Sequence, residues 1–132
     1  MSRGRPYRIA LNGYGRIGRC VLRALHERGG QDMQIVALND LADQASVEYL
    51  TRFDSALGRF PGEVRVDGDS LHINGHCVKV LCASTPEAVD WAALDIDLLL
   101  ECSGQYTRRD EGARFVEAGV PRVVVSQPMA NA

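Results

Sequence analysis

The chain lacks any apolar run near the roughly 18 residues that a membrane-spanning helix needs, so no helical span is expected within its 132 residues. Its opening residues, Met1-Ser2-Arg3-Gly4-Arg5-Pro6, lead into a short strand-like run without the apolar core of a signal peptide, and a cytoplasmic location is the expectation. Charge of one sign is also scarce. Fifteen Lys and Arg stand against 17 Asp and Glu, a net charge of -2. That balance is unlike the basic excess of a nucleic-acid binder or a polybasic membrane patch. Cysteine is sparse too: Cys20, Cys77, Cys82 and Cys102 form no CxxC and have no histidine at metal-ligand spacing. A disulfide scaffold is excluded, and neither a metal site nor a metal cofactor is expected. Internal repeats and low-complexity segments are absent. Against these scarcities, a hydrophobic content of 45% suits one domain with its own core.

The order of patterns predicts an α/β chain. Tyr7 to Leu11 is a short apolar run followed at once by Asn12-Gly13-Tyr14-Gly15-Arg16-Ile17-Gly18. From Arg16, residues Ile17, Val21, Ala24 and Leu25 recur at helical spacing, and Gly29-Gly30 supplies a stop. Met33 to Leu38 is a near-continuous apolar run, the mark of a parallel strand buried on both faces. A second helix is predicted over Asp43 to Phe53. Alternation then takes over from Glu63 to Leu81, with turns at Asp67-Gly68-Asp69 and Asn74-Gly75, which predicts an antiparallel hairpin insertion at about residues 63–81. Asp97 to Cys102 restores a buried-strand pattern. A helix capped by Thr107 with Asp110, closed by Gly119 and Pro121, leads to a fifth core strand at Val123-Val124-Val125. The fold class expected is a Rossmann-type parallel sheet with helices on both faces.

A lone GxGxxG motif is weak, and here the context strengthens it. Strand, glycine turn and helix follow in order; Gly13 permits the tight turn, Gly15 the approach of a pyrophosphate, and Gly18 close packing of helix on strand. Asn39-Asp40 ends the second strand, where a carboxylate accepts hydrogen bonds from an adenosine ribose and repels a 2′-phosphate. NAD, rather than NADP, is therefore the expected cofactor. Ser103-Gly104 falls on the same edge of the sheet, and Tyr106 beside it is open to two readings, adenine packing or packing beneath the next helix.

These residues resemble the glyceraldehyde-3-phosphate dehydrogenase family, which includes the erythrose-4-phosphate dehydrogenases. Asn12 to Arg19 looks like the family's NG[FY]GRIGR opening, far more specific than GxGxxG. Asn39-Asp40, Phe53-Asp54-Ser55 with Gly58-Arg59-Phe60, Trp91, and Cys102-Ser103-Gly104-Gln105-Tyr106 extend the likeness along the chain. The resemblance implies a cofactor site of Asn12, Gly13, Tyr14, Gly15, Arg16, Ile17, Gly18, Asn39, Asp40, Ser103, Gly104, Tyr106 and Ser126. Leu41-Ala42-Asp43, Val80-Leu81, Cys102, Tyr106 and Ser126-Gln127-Pro128 lean toward the erythrose-4-phosphate branch. That branch implies oxidation of D-erythrose 4-phosphate to 4-phosphoerythronate, toward pyridoxal 5′-phosphate; the alternative is the glycolytic oxidation of glyceraldehyde 3-phosphate. A stand-alone NAD-binding module without catalysis, and an interaction protein that keeps only the fold, are the other readings.

There are departures. Ser84 stands where the family often has an arginine near the adenine, and Leu57 where it has a histidine. The resemblance implies a nucleophilic cysteine on an SCTTN segment with a partner histidine, and neither is matched here. None of Cys20, Cys77, Cys82, Cys102, His26, His72 or His76 fills those places, so no catalytic residue is expected in residues 1–132. The expectation is a truncated cofactor-binding half, with its catalytic domain beyond Ala132, a homotetramer when whole, and a sugar-phosphate substrate bound only then. An uncovered fifth strand is expected to favour self-association.

Overall fold

The computed structural model describes residues 6–27, 32–54, 57–106 and 108–126. In chain order its elements are β1 (Tyr7–Asn12), α1 (Arg16–Glu27), β2 (Met33–Asn39), α2 (Gln44–Arg52), β3 (Phe53–Asp54), β4 (Gly58–Arg59), β5 (Val64–Asp67), β6 (Ser70–Ile73), β7 (His76–Leu81), β8 (Leu98–Glu101), α3 (Arg109–Glu117) and β9 (Val123–Val125). Two short 3-10 turns, Pro86–Ala88 and Ala92–Leu94, connect β7 to β8. The main sheet has the order β5-β6-β7-β2-β1-β8-β9. Strands β7, β2, β1, β8 and β9 run parallel, while β5 and β6 are antiparallel and extend the β7 edge. The predicted hairpins therefore continue the main sheet, and their last strand, β7, is not purely antiparallel as predicted but also pairs parallel with β2. A separate sheet is the small pair β3-β4.

Both faces of the sheet are covered. On one, Leu22 of α1 and Val47 of α2 pack with Ile9, Leu11, Ile35, Leu38, Leu71 and Val78. On the other, Trp91, Phe115 of α3 and Val120 pack with Ala10, Val36, Ala37 and Leu99. An irregularity in β2 sets this division. Ile9 pairs with Ile35 but Ala10 with Ala37, so Val36 is an extra residue in the β2 ladder. A side-chain period of two would put Ile35 and Leu38 on opposite faces; the bulge brings them to the same one. It also fixes how Asn39 and Asp40 emerge at the strand's end.

Two predicted boundaries move. α2 ends at Arg52 instead of Phe53, because Phe53 turns extended to pair with Arg59. Its start follows the sequence: the Asp43 carboxylate accepts the Ser46 N–H at 2.7 Å. For α3, Thr107 lies outside the described residues, and the cap forms one residue later. Glu111 reaches back to accept the Arg108 N–H at 3.0 Å, while Asp110 pairs with the Arg108 guanidinium at 3.1 Å. With Arg108 at the cap, Glu111 takes the third helical position that the capping-box reading assigned to Asp110. The predicted stop at Gly29-Gly30 also lies outside the described residues. No helix among the described residues is long and apolar enough to cross a membrane.

Trp91 anchors the second face. It is 1% exposed, its indole N–H donates to Pro86 O at 2.8 Å, and its ring meets Phe115 edge-on at 6.0 Å. Trp91→Ala is expected to lower the unfolding free energy by about 3–5 kcal/mol. Urea unfolding of the two proteins measures it, and a loss below about 1 kcal/mol, the scale of a surface change, would contradict this packing.

Candidate functional site

The carboxyl ends of β1, β2 and β8 and the chain leaving β7 meet at one edge of the sheet, the place where open α/β sheets bind ligands. Gly13 leaves β1 with φ +97° and donates its N–H to Asn39 O at 2.7 Å, tying the loop to β2. A Cβ on Gly13 would lie 2.6 Å from Ser103 N, and one on Gly18 2.5 Å from Gly13 O. Both glycines are required by close backbone packing. Gly15 differs: a Cβ there would meet nothing within 4 Å, so the space above it is open. α1 starts at the next residue, and its first internal bond runs from Arg19 N–H to Gly15 O. The N–H groups of Arg16, Ile17 and Gly18 have no acceptor inside the helix, and they carry the positive end of its dipole. With no acidic residue in that first turn, the loop is suited to an anion.

Asp40 faces this loop. Its Oδ2 accepts the Tyr14 N–H at 2.6 Å and its Oδ1 the Ala42 N–H at 2.9 Å. A carboxylate has about four lone-pair sites, so each oxygen keeps acceptor capacity toward the cleft. The loop is braced from behind by Arg19, which donates to Asp54 at 2.7 Å and to Tyr14 O at 3.1 Å. The Tyr14 side chain points into the core, where its hydroxyl meets Thr51 Oγ1 at 2.7 Å and burial pushes its pKa up. Only the backbone of Tyr14 faces the cleft.

The other wall is the turn after β8. Glu101, 2% exposed, accepts from Asn12 Nδ2 at 2.7 Å, from Ser103 N–H at 3.3 Å and Oγ at 2.5 Å, and from Gly104 N–H at 3.2 Å. Asn12 and Asn39 are themselves joined at 2.8 Å, and Asn39 reaches Ala83 beyond β7. These asparagine side chains lie in the floor of the cleft. Tyr106 lines the cleft, and its ring also meets Phe115 of α3 edge-on at 4.9 Å.

The structure does not gather every predicted residue into the cleft. Gly13, Tyr14, Gly15, Asn12, Asn39, Asp40, Ser103 and Tyr106 line it, together with Leu41, Ser84 and Pro86. The side chains of Arg16 and Ile17 are exposed on the first turn of α1 and leave only backbone amides for the site. Ser126 sits beyond β9, its N–H held by Glu101 O at 3.0 Å, outside the cleft lining. Glu101, Arg19 and Asp54 hold the loops that border the cleft, and the sequence does not single them out as site residues. For Glu101 a signal existed: a carboxylate inside the apolar run Leu98-Leu99-Leu100-Glu101 needs a reason to be buried.

Thiol chemistry finds no support in Cys102. It is half-buried, and burial with the neighbouring Glu101 carboxylate pushes its pKa up to about 11, so the reactive thiolate is scarce at neutral pH. Among the described residues no group of three or more His, Cys, Asp or Glu side chains is placed to hold a metal ion.

One of the histidines packs against other rings. His26, at the end of α1, meets Phe60 and His76 with ring centroids 5.9 Å away in each case. Burial first, and the His76 charge second, lower its pKa from 6.5. The unfolded chain therefore takes up this proton before the folded one does. Stability from this group is complete above about pH 6.5 and is lost as pH falls from there through the folded value. Urea midpoints between pH 7.5 and 5 should decline, and less steeply in His26→Gln; an equal decline in both would contradict the assignment.

Residues 7–109 match the family described as glyceraldehyde 3-phosphate dehydrogenase, NAD binding domain. The plasmid glyceraldehyde-3-phosphate dehydrogenase of Cupriavidus necator is 43% identical over 122 residues, which are 92% of this chain and 36% of that protein. The glyceraldehyde-3-phosphate dehydrogenase of Xanthobacter flavus is 45% identical over 125 residues, 95% of this chain and 37% of that protein. That of Pseudomonas aeruginosa is 44% identical over 124 residues, 92% of this chain and 36% of that protein. The chain thus spans little more than a third of the length of these relatives.

Proposed function

The chain belongs to the glyceraldehyde 3-phosphate dehydrogenase family and carries its NAD-binding domain, and from that premise we propose that the cleft between the glycine loop and Asp40 is where NAD is held. The observation that carries the reading is the Tyr14 N–H to Asp40 contact at 2.6 Å beside the open space over Gly15. It sets a carboxylate with spare acceptor sites next to a helix N-terminus, the pairing that suits a ribose diol next to a pyrophosphate. The residues fit the cofactor: the amides from Gly15 to Gly18 would face the phosphates, and Asp40 the adenosine ribose. Arg16 and Ile17 would act through their backbone. Leu41, Ser84 and Pro86 would border the adenine; with serine at position 84, no guanidinium stacks there. The cleft encloses about 250 Å³, less than the roughly 300–1,000 Å³ of pockets that surround a whole ligand. It grips one part of a dinucleotide.

The Asp40 charge should reject a 2′-phosphate. Calorimetric titration tests this: NAD is expected to bind at least about tenfold more tightly than NADP, one such factor being the scale of a single charged contact. Equal affinities, or binding of neither, would overturn the reading.

In a protein of the relatives' length we propose oxidation of the aldehyde of a phosphorylated sugar. NAD, when bound, supplies the hydride acceptor for that chemistry. The residues of the cleft would bind and orient; the thiol in its lining, Cys102, has its pKa pushed up to about 11 and is a poor nucleophile at neutral pH, and residues 1–132 alone should show no turnover. Glyceraldehyde 3-phosphate is the substrate supported by the names of the relatives. Erythrose 4-phosphate is the second reading, favoured by Leu41-Ala42-Asp43 and Ser126-Gln127-Pro128. Leu41 borders the nucleotide cleft, so it bears on the branch and not on contact with a sugar. Assaying the whole protein with both aldehydes separates the two. A homotetramer and a cytoplasmic location belong to the same proposal.

A further inference from the structure

The floor of the cleft is a directional chain of hydrogen bonds that no part of the family reading assigns. One end is Glu101, both of whose oxygens serve as acceptors, Oε1 toward Ser103 and Oε2 toward the Gly104 N–H at 3.2 Å. Asn12 must therefore turn its amide nitrogen toward Glu101 Oε1, at 2.7 Å, and its oxygen away. That oxygen accepts from Asn39 Nδ2 at 2.8 Å. Asn39 then presents Oδ1 to the Ala83 N–H at 2.7 Å and Nδ2 to Ala83 O at 3.0 Å. Glu101, Asn12 and Asn39 are 2%, 5% and 8% exposed, so water competes little at any link. The chain begins under the Ser103–Gly104 wall and ends in the backbone of the opposite wall, beside Ser84.

We propose that Glu101 is a positioning residue that acts through Asn12 and Asn39 to hold the Ala83 backbone, and so sets the spacing of the two cleft walls. The proposal rests on the NAD reading only for its effect on affinity. Removing the acceptor leaves Asn12 with a buried donor and no partner, and the orientation of both asparagines is lost. Backbone ladder bonds of β7 are not part of the chain.

Amide hydrogen exchange on the protein without NAD tests the link. In Glu101→Met the Ala83 amide is expected to exchange about tenfold faster or more, the scale of one lost buried hydrogen bond. The Val80 amide, bonded to Asp69 O at 2.8 Å, should keep its rate. Glu101→Gln retains an oxygen for Asn12 and should restore Ala83 protection, although it cannot accept from Gly104 with its nitrogen. If Glu101→Met does not fold, Asn12→Ala cuts the chain while leaving Glu101 its bonds to Ser103 and Gly104, and Ala83 should again lose protection. Unchanged Ala83 exchange in the folded variants, or equal acceleration at Val80, would overturn the proposal. Titration with NAD is the second arm: Glu101→Met should bind about tenfold more weakly, and Glu101→Gln less so. Absence of NAD binding by the unsubstituted protein would end the NAD reading while the exchange result still decides the chain; unweakened binding by Glu101→Met would overturn its role in the cleft.

Discussion

Gly13→Ala is expected to abolish detectable NAD binding and to lower stability by about 2–5 kcal/mol, combining backbone strain with overpacking. The added methyl would sit 2.6 Å from Ser103 N and 2.7 Å from Ser103 Cα, at a residue whose φ of +97° already disfavours a side chain. The obstructing atoms are backbone, so relief requires the loop or the Ser103 turn to move, and both are walls of the cleft. Gly15→Ala is the informative contrast. Its methyl meets open space, so stability should stay within about 0.5 kcal/mol, while NAD binding weakens because the methyl occupies the approach to the amides. Thermal unfolding and NAD titration of both variants measure the split. Equal behaviour of the two, or a Gly13→Ala protein with unaltered affinity, would contradict the roles assigned to the loop.

Asp40→Ala is expected to weaken NAD by about 10–100-fold, the range for losing one charged hydrogen-bond acceptor, and to erase the preference for NAD over NADP. Two effects act together. The ribose loses its acceptor, and the Tyr14 and Ala42 amides lose the carboxylate that holds the loop against β2. Asp40→Asn keeps an oxygen for one of these amides and removes the charge. It should therefore lose preference more than affinity. Retention of the full preference in both variants would mean that another group reads the 2′ position.

Much of this site is legible in the sequence because its requirements are local. A positive φ at Gly13, a helix beginning one residue after Gly15, and a carboxylate at the tip of the adjacent strand each leave a mark within a few residues. Four of the five parallel strands and the hairpins likewise follow from apolar runs and turn residues, whereas the alternation of β7 marks it as a hairpin strand and does not show its parallel pairing with β2. What the sequence hides depends on distant partners. Glu101 meets Asn12 across 89 positions, and Arg19 meets Asp54 across 35. The bulge at Val36 is invisible for another reason: from Ile35 to Leu38 every residue is apolar, so a slip in the side-chain period there leaves no polar residue out of place. Phe53 looks like the last residue of α2 by spacing, and only its pairing with Arg59 pulls it out. That Tyr106 both lines the cleft and meets Phe115 of α3 could not be read from its neighbours in sequence. Ser126 matches by resemblance, yet lies past the end of β9 and away from the lining.

The claim beneath all of this is that phosphate meets the amides at the start of α1 while Asp40 takes the neighbouring sugar. Backbone amide shifts recorded during an NAD titration address it directly. The account predicts saturable shifts centred on Gly15 to Gly18, Leu41 and Ser103 to Gln105, with the β5-β6 hairpin unmoved. Saturable binding that leaves the amides of Gly15 to Gly18 in place would contradict it.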